Sequence, residues 1–364
     1  MGNKETIFLT GATGLIGSYL LKLLLEDGHK VFVLARSRDN KTAQERVHDI
    51  CRFWDKEVLN KNFNNLVVLE GDITKDDLGL RREIGAMLGS EVEAIFHCAA
   101  NTKFSLSLEP LRKVNVEGTR NVLKWGLEWN KKGRLQRVVH LSTVFIYGDY
   151  KGLFSENDLD LGQKFYIAYE QSKFEGEKVV NIYRKKGLWV DIFRPPVVVG
   201  ESKTGRIPFF DQAFYQAIHI WNSGIFDYYP NVEDYNFTID FVDELCKSII
   251  IIFSHASAPN NNYHPFSNHP LSVNKTMELF SQHFAFKRPK PVSLYKFFKE
   301  KSTFAQRQLM KYIFHFFSKD IKLSSEITSE ILRECSFEFS SSRETALLKL
   351  VEYCLGAGFL KKKR

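Results

Sequence analysis

Apolar residues recur along the first two thirds of the chain in two alternating rhythms. Short apolar runs stand at Thr6–Thr10, Lys30–Leu34, Leu66–Glu70, Ala94–Cys98, Arg137–Leu141 and Trp189–Phe193. Stretches with helical periodicity separate them at Ser18–Glu26, Thr42–Leu59, Asp77–Leu88, Leu111–Trp129 and Phe165–Lys185. Strand and helix alternating at this spacing predict an α/β fold, a doubly wound parallel sheet with helices on both faces. A helix-like stretch, Val242–His255, and a last strand candidate, Asn262–Pro265, continue the pattern. After Arg194 the alternation weakens. Pro195–Pro208 (PPVVVGESKTGRIP) is loop-rich, and the chain from Pro270 onward is helical in pattern, basic and aromatic.

Two motifs carry chemistry on this frame. Gly11–Gly17 reads GATGLIG and sits between the first strand and the first helix. Small residues there let a pyrophosphate approach the backbone, and the helix N-terminus offers free N–H groups and a positive dipole end. Gly11, Thr13, Gly14, Leu15, Ile16 and Gly17 are therefore expected to line a dinucleotide. Tyr169–Lys173 reads YEQSK, which puts the phenol and the ammonium on one helix face. An ammonium beside a phenol is expected to draw it toward the phenolate, making it an acid or base usable near neutral pH. The stretch Val138–Gly148 (VVHLSTVFIYG) lies between the motifs and delivers Ser142 and Thr143 at the C-terminal end of a strand, where ligands bind in open α/β sheets.

After the second strand the chain reads Ala35-Arg36-Ser37-Arg38. Proteins that select NAD usually place an acid here for the ribose 2′-hydroxyl. No acid stands at this strand end, and Arg36 suits a 2′-phosphate, which points to NADPH. Arg46, on the next helix, can close over the same phosphate.

The three elements together resemble the extended short-chain dehydrogenase/reductase superfamily. The resemblance implies a Rossmann-type NADP-binding domain of residues 1–199 with 237–256. It also implies a smaller, mostly helical C-terminal substrate lobe of 200–236 with 257–364. Aligned on the Tyr-Gly that closes the strand, Thr143 falls at the catalytic hydroxyl beside Tyr169 and Lys173. Ser142 is expected to hydrogen-bond neighbouring backbone. By the same resemblance Asp72 bonds the adenine amino group and Ile73 packs on its ring. Ala99, Ala100 and Asn101 let the ribose and phosphates pass, and Asn115 braces the central helix. Pro196, Val197 and Val198 meet the nicotinamide carboxamide, and Lys173 also holds its ribose.

The segments FLTGATGLIGSYLL, LARSRDNKTAQERV, FHCAANTKF, YEQSKFEGEKVV and RPPVVVGESKTGRI are similar to the thioester-reductase branch of that superfamily, over roughly residues 5–255. That branch is shared by carboxylic acid reductases, synthetase reductase domains and fatty acyl-CoA reductases. It implies an NADPH-dependent reductase of an acyl thioester, giving an aldehyde or alcohol. The acyl group would arrive on coenzyme A or a separate acidic carrier protein. Other readings stay open: a nucleotide-sugar epimerase, a ketone or aldehyde reductase, and a cofactor-binding regulator without catalysis. Sugar dehydratases normally add an Asp-Glu pair after the threonine, and here Val144-Phe145 stand there.

Composition narrows the partners. The net charge of +8 suits an anionic partner, and no recognition motif points to nucleic acid. The longest apolar run, Ser248–Phe253, is too short to span a bilayer, no signal peptide is evident, and the five cysteines lack CxxC spacing. These features lead us to expect a cytoplasmic enzyme. The histidines show no metal-ligand spacing, so no metal site is expected. Met1–Thr6 fits an N-myristoylation pattern, but the first strand begins there and leaves little free arm. Leu309–Phe317 (LMKYIFHFF) is expected to pack as a helix in the small lobe, and Lys361–Arg364 to be a solvated end.

Overall fold

The computed structural model describes residues 4–230, 236–307, 310 and 321–361. Met1 and Gly2, Leu309–Phe317 apart from Met310, and the last three residues lie outside them. Seven strands form one parallel sheet: β1 (Thr6–Thr10), β2 (Lys30–Ala35), β3 (Leu66–Glu70), β4 (Ala94–His97), β5 (Arg137–Leu141), β6 (Val190–Phe193) and β7 (Asn262–Tyr263). Their order is β7-β6-β5-β4-β1-β2-β3, and every pair is parallel. The chain winds outward from β1 in both directions. The crevice beyond the carboxyl ends of β1 and β4 is thus the switch point where such sheets take ligands.

One face of the sheet closes over Phe8, Phe32, Ile95, Val138 and Val190, all at most 2% exposed, together with Trp129 from the covering helix. Phe8 meets Trp129 edge to face at 5.2 Å. Emptying such a site by Phe8→Ala would cost about 3–5 kcal/mol, since the core cannot fully collapse into the gap.

The helices are α1 (Leu15–Glu26), α2 (Ala43–Trp54), α3 (Lys56–Lys61), α4 (Arg82–Glu91), α5 (Leu108–Arg112), α6 (Thr119–Lys131) and α7 (Ala168–Arg184). Three differ from the sequence pattern. The expected helix 42–59 breaks at Asp55, whose backbone is extended and whose carboxylate caps α3 through the N–H groups of Glu57 and Val58. The helix expected from Asp77 starts at Arg82, because Leu78 and Gly79 take positive φ. The helix expected over 111–129 contains a π-helical turn, Lys113–Gly118, between α5 and α6.

The chain divides into two compact units: residues 1–195, 245–265 and 323–338, and residues 196–244, 266–322 and 339–364. Residues 323–338 thus belong with the sheet and not with the C-terminal lobe. Glu156, 2% exposed, accepts the N–H groups of Ile327 (2.8 Å) and Thr328 (2.9 Å), which caps the helix Glu326–Glu334. The second unit holds helices Ala213–Ser223, Val273–Phe284, Leu294–Lys299 and Arg343–Gly356, with short strand pairs such as Val197–Val199 against Ile239–Phe241. Among the described residues no helix is long and apolar enough to cross a membrane.

Candidate active site

The glycine turn is shaped by close backbone contacts. Gly11 has φ +78°, and a Cβ there would lie 2.5 Å from the Ala99 nitrogen, so no other residue fits. A Cβ on Gly17 would come within 2.2 Å of the Gly11 oxygen. The turn is closed by the Gly14 N–H on that oxygen at 3.0 Å. Gly14 is also the N-cap of α1 and gives no side-chain cap, which leaves the first-turn N–H groups of Leu15, Ile16 and Gly17 to an incoming anion. Thr13, Leu15 and Ile16 are half-buried around the same turn.

Guanidinium groups gather beside it. Helix α2 starts with a reciprocal capping box, Thr42 with Glu45, which fixes the position of Arg46 one residue on. Arg46 donates from Nη1 to the Arg36 carbonyl at 2.5 Å and from Nη2 to the Thr13 hydroxyl at 3.4 Å. Burial, then the like charges of Arg38 and Arg36, lower its pKa. Positive charge crowded there favours an anion. Arg36, half exposed, pairs with Asp72 at 3.6 Å. Burial pushes the Asp72 carboxyl up, but hydrogen bonds from Thr74 and the Arg36 charge outweigh it and hold it below the usual range. Ile73, expected on the adenine ring, is 7% exposed and packed against Gly118.

Thr143, Tyr169 and Lys173 meet at the carboxyl end of β5, all buried. Thr143 caps a 3₁₀ turn, Val144–Tyr147. Its hydroxyl donates to the Pro195 carbonyl at 3.3 Å and neighbours the Tyr169 hydroxyl. Lys173 donates from Nζ to the Leu141 carbonyl at 2.6 Å. Its pKa is lowered to about 8, chiefly by burial, which Glu177 opposes. The expected shift of Tyr169 toward phenolate does not occur. Burial raises its pKa, the Thr143 hydroxyl offsets only part of that, and the Lys173 ammonium is turned to Leu141. A neutral phenol is the form that can donate a proton. Ser142 also departs from expectation. Its Oγ is buried with no partner among the described residues, because the parallel ladder takes up its backbone neighbours, its own N–H reaching Phe193 at 2.7 Å.

Behind the site, Asn115 sits inside the π-helical turn. Its amide accepts from the Asn101 N–H (2.7 Å) and donates to the Asn101 carbonyl (3.0 Å) and the Ser172 hydroxyl (2.9 Å). Ser172 in turn donates to the Tyr169 carbonyl at 2.7 Å. One amide therefore ties the Ala99–Asn101 strand exit to the helix bearing Tyr169 and Lys173. Ser172 was not singled out in the sequence, although it stands inside YEQSK. Pro196 opens the second unit, and Val197 and Val198 lie on its first strand, Val197–Val199.

Residues 9–249 match the male sterility protein family of NAD-binding domains. The chain belongs to that family. It is 33% identical over 211 residues to the non-canonical nonribosomal peptide synthetase cpsA of Aspergillus campestris, covering 55% of this chain and 20% of that protein. It is 31% identical over 242 residues to a carboxylic acid reductase of Segniliparus rugosus, covering 61% of this chain and 20% of the relative. The chain therefore spans about a fifth of the length of these curated relatives. The crystal structure of the terminal R domain from the myxalamid PKS-NRPS biosynthetic pathway superposes with a TM-score of 0.83 at 22% identity, covering all of this chain and 94% of that one. That likeness establishes the fold. Family and relatives place the chain among NAD(P)-dependent reductases of the extended short-chain dehydrogenase/reductase type.

Proposed function

We propose that this chain is an NADPH-dependent reductase of acyl thioesters carried on coenzyme A or on the pantetheine arm of a carrier protein. The observation that carries the reading is the buried grouping of the Thr143 and Tyr169 hydroxyls, with Lys173 one helical turn on from the tyrosine. The uncapped α1 N-terminus and the Arg46–Thr13 contact fit a phosphate-bearing dinucleotide, and Arg36, Arg38 and Arg46 favour one with a 2′-phosphate. Similarity to a carboxylic acid reductase and to peptide synthetases supports the thioester.

When bound, NADPH would supply a hydride to the thioester carbonyl carbon. The chain's own residues handle the oxygen. Tyr169 donates a hydrogen bond to it as negative charge develops and gives up its proton, and the single Thr143 proton turns from the Pro195 carbonyl to the same oxygen. Lys173 stabilises the phenolate so formed and holds the cofactor ribose. The resulting thiohemiacetal breaks its C–S bond, releasing thiol and aldehyde. A second hydride would convert the aldehyde to alcohol.

The test couples two readings. NADPH oxidation on an acyl-CoA and acyl-pantetheine series should be matched by free thiol measured with a colorimetric reagent. Tyr169→Phe should lower kcat about 10²–10⁴-fold, the usual worth of a positioned acid, and spare NADPH affinity. Binding of UDP- or dTDP-sugars with no thiol from any thioester would move the assignment to an epimerase.

A further inference from the structure

Arg194 and Glu177 form an ion pair that is completely buried on both sides. Arg194 Nε lies 3.0 and 3.2 Å from the two Glu177 oxygens, and Nη2 donates to Oε2 at 2.7 Å. The third nitrogen, Nη1, reaches the Glu156 carbonyl at 3.1 Å and lies 3.3 Å from His264 Nε2. Removing two charges from water costs more than their attraction commonly returns, so stability alone is a poor reason for this pair.

Its position supplies another. Glu177 lies on α7 one turn beyond Lys173, on the same face. Arg194 immediately precedes Pro195, whose carbonyl accepts from both the Thr143 hydroxyl (3.3 Å) and the Val144 N–H (3.1 Å). The other titratable groups facing Lys173 carry no charge. From β4 and its end these are His97, held neutral by burial at about 3, and Cys98, whose thiol burial keeps protonated. From β5 comes His140, held well below its usual value by burial. On α7 itself Tyr169 is kept neutral by burial. Arg184, further along α7, is a cation turned to Asn181, Asn262 and the Val190 and Asn261 carbonyls. Among the described groups Glu177 is the anion left to oppose the burial of Lys173.

Resting on the reading of Lys173 proposed above, we infer that Glu177 and Arg194 are positioning residues. Glu177 is the counter-charge of Lys173, and Arg194 anchors Glu177 while fixing the carbonyl that orients Thr143. Loss of Glu177 thus acts on the charge of the lysine, and not only on folding.

The experiment follows NADPH affinity by fluorescence from pH 6 to 10 in the full chain. The wild type should lose affinity on the alkaline side as Lys173 deprotonates. Glu177→Gln should move that limb to lower pH by about one to two units, the size of a Coulomb interaction between charges about 6–12 Å apart at an effective dielectric near 20. Glu177→Asp should recover part of the shift. The double variant E177Q/R194Q does not orphan the Arg194 guanidinium, so it guards against misfolding from that buried charge, and its limb should move in the same direction. A limb unmoved in both E177Q and the double variant, even with reduced urea stability, overturns the inference. Lys173→Met separates the two readings. If it binds NADPH like the wild type at every pH, the catalytic assignment of Lys173 falls. If it abolishes the limb and E177Q leaves it in place, only the Glu177–Arg194 inference falls.

Discussion

Arg36 and Arg46 reach the same corner of the fold in different states. Arg36 is already paired with Asp72 and stands half in water, while Arg46 bridges the end of β2 and the glycine turn. A charge-assisted contact to a phosphate contributes about 1.5–3 kcal/mol, and screening reduces it for the more exposed partner. Arg46→Ala should therefore weaken NADPH binding more than Arg36→Ala, by roughly 10- to 100-fold, and leave NADH binding nearly unchanged. Calorimetry with both cofactors decides it, and equal losses for the two would remove the 2′-phosphate assignment. At this scale the sequence was informative where a residue type has one physical use. Gly11 and Gly17 could be placed because backbone crowding admits nothing else. The charge state of Tyr169 could not. It depends on burial and on where Lys173 points, and neither is encoded in the spacing of YEQSK.

Apolar periodicity locates elements but not the irregularities inside them. The pattern over 111–129 runs on as if through one helix, yet Lys113–Gly118 is π-helical and turns Asn115 toward both Asn101 and Ser172. The neighbouring helix accommodates this only because residue 176 is glycine, where a Cβ would stand 2.8 Å from the Asn115 carbonyl. Asn115→Ala would leave the half-buried Asn101 N–H without its acceptor, which costs about 1–3 kcal/mol, toward the lower end for a partly solvated group. It would also free the helix that carries Tyr169. We expect a lowered Tm together with a fall in kcat larger than the change in NADPH affinity. A variant that loses Tm but keeps the wild-type kcat would show that the brace serves stability alone. The β-strands were legible because each is a short apolar run bounded by loops. The capping of Glu326–Glu334 by Glu156 was not, because its partners lie about 170 residues apart and share no local pattern.

At the scale of the whole molecule, three histidines among the described residues are buried and neutral. His97 lies between the Thr10 and Thr119 hydroxyls (2.8 and 3.1 Å), His140 has no partner on either ring nitrogen among the described residues, and His264 packs near Arg194. Burial lowers the pKa of each, to about 3 for His97 and His264 and well below 6.5 for His140. The unfolded chain binds protons near pH 6.5, where the folded chain does not. Stability is therefore complete above pH 6.5 and falls as the pH drops from there toward 3, by up to about 1.4 kcal/mol per unit for each histidine. The net charge of +8 adds repulsion in the same direction. The urea midpoint should accordingly drop between pH 7.5 and 5. His140→Leu isolates the cause, since it forfeits no hydrogen bond and replaces a buried imidazole with an apolar group of similar bulk. That variant should match the wild type at pH 7.5 and lose less stability on acidification. If its midpoint falls as steeply as the wild type's, acid lability comes from groups other than this histidine.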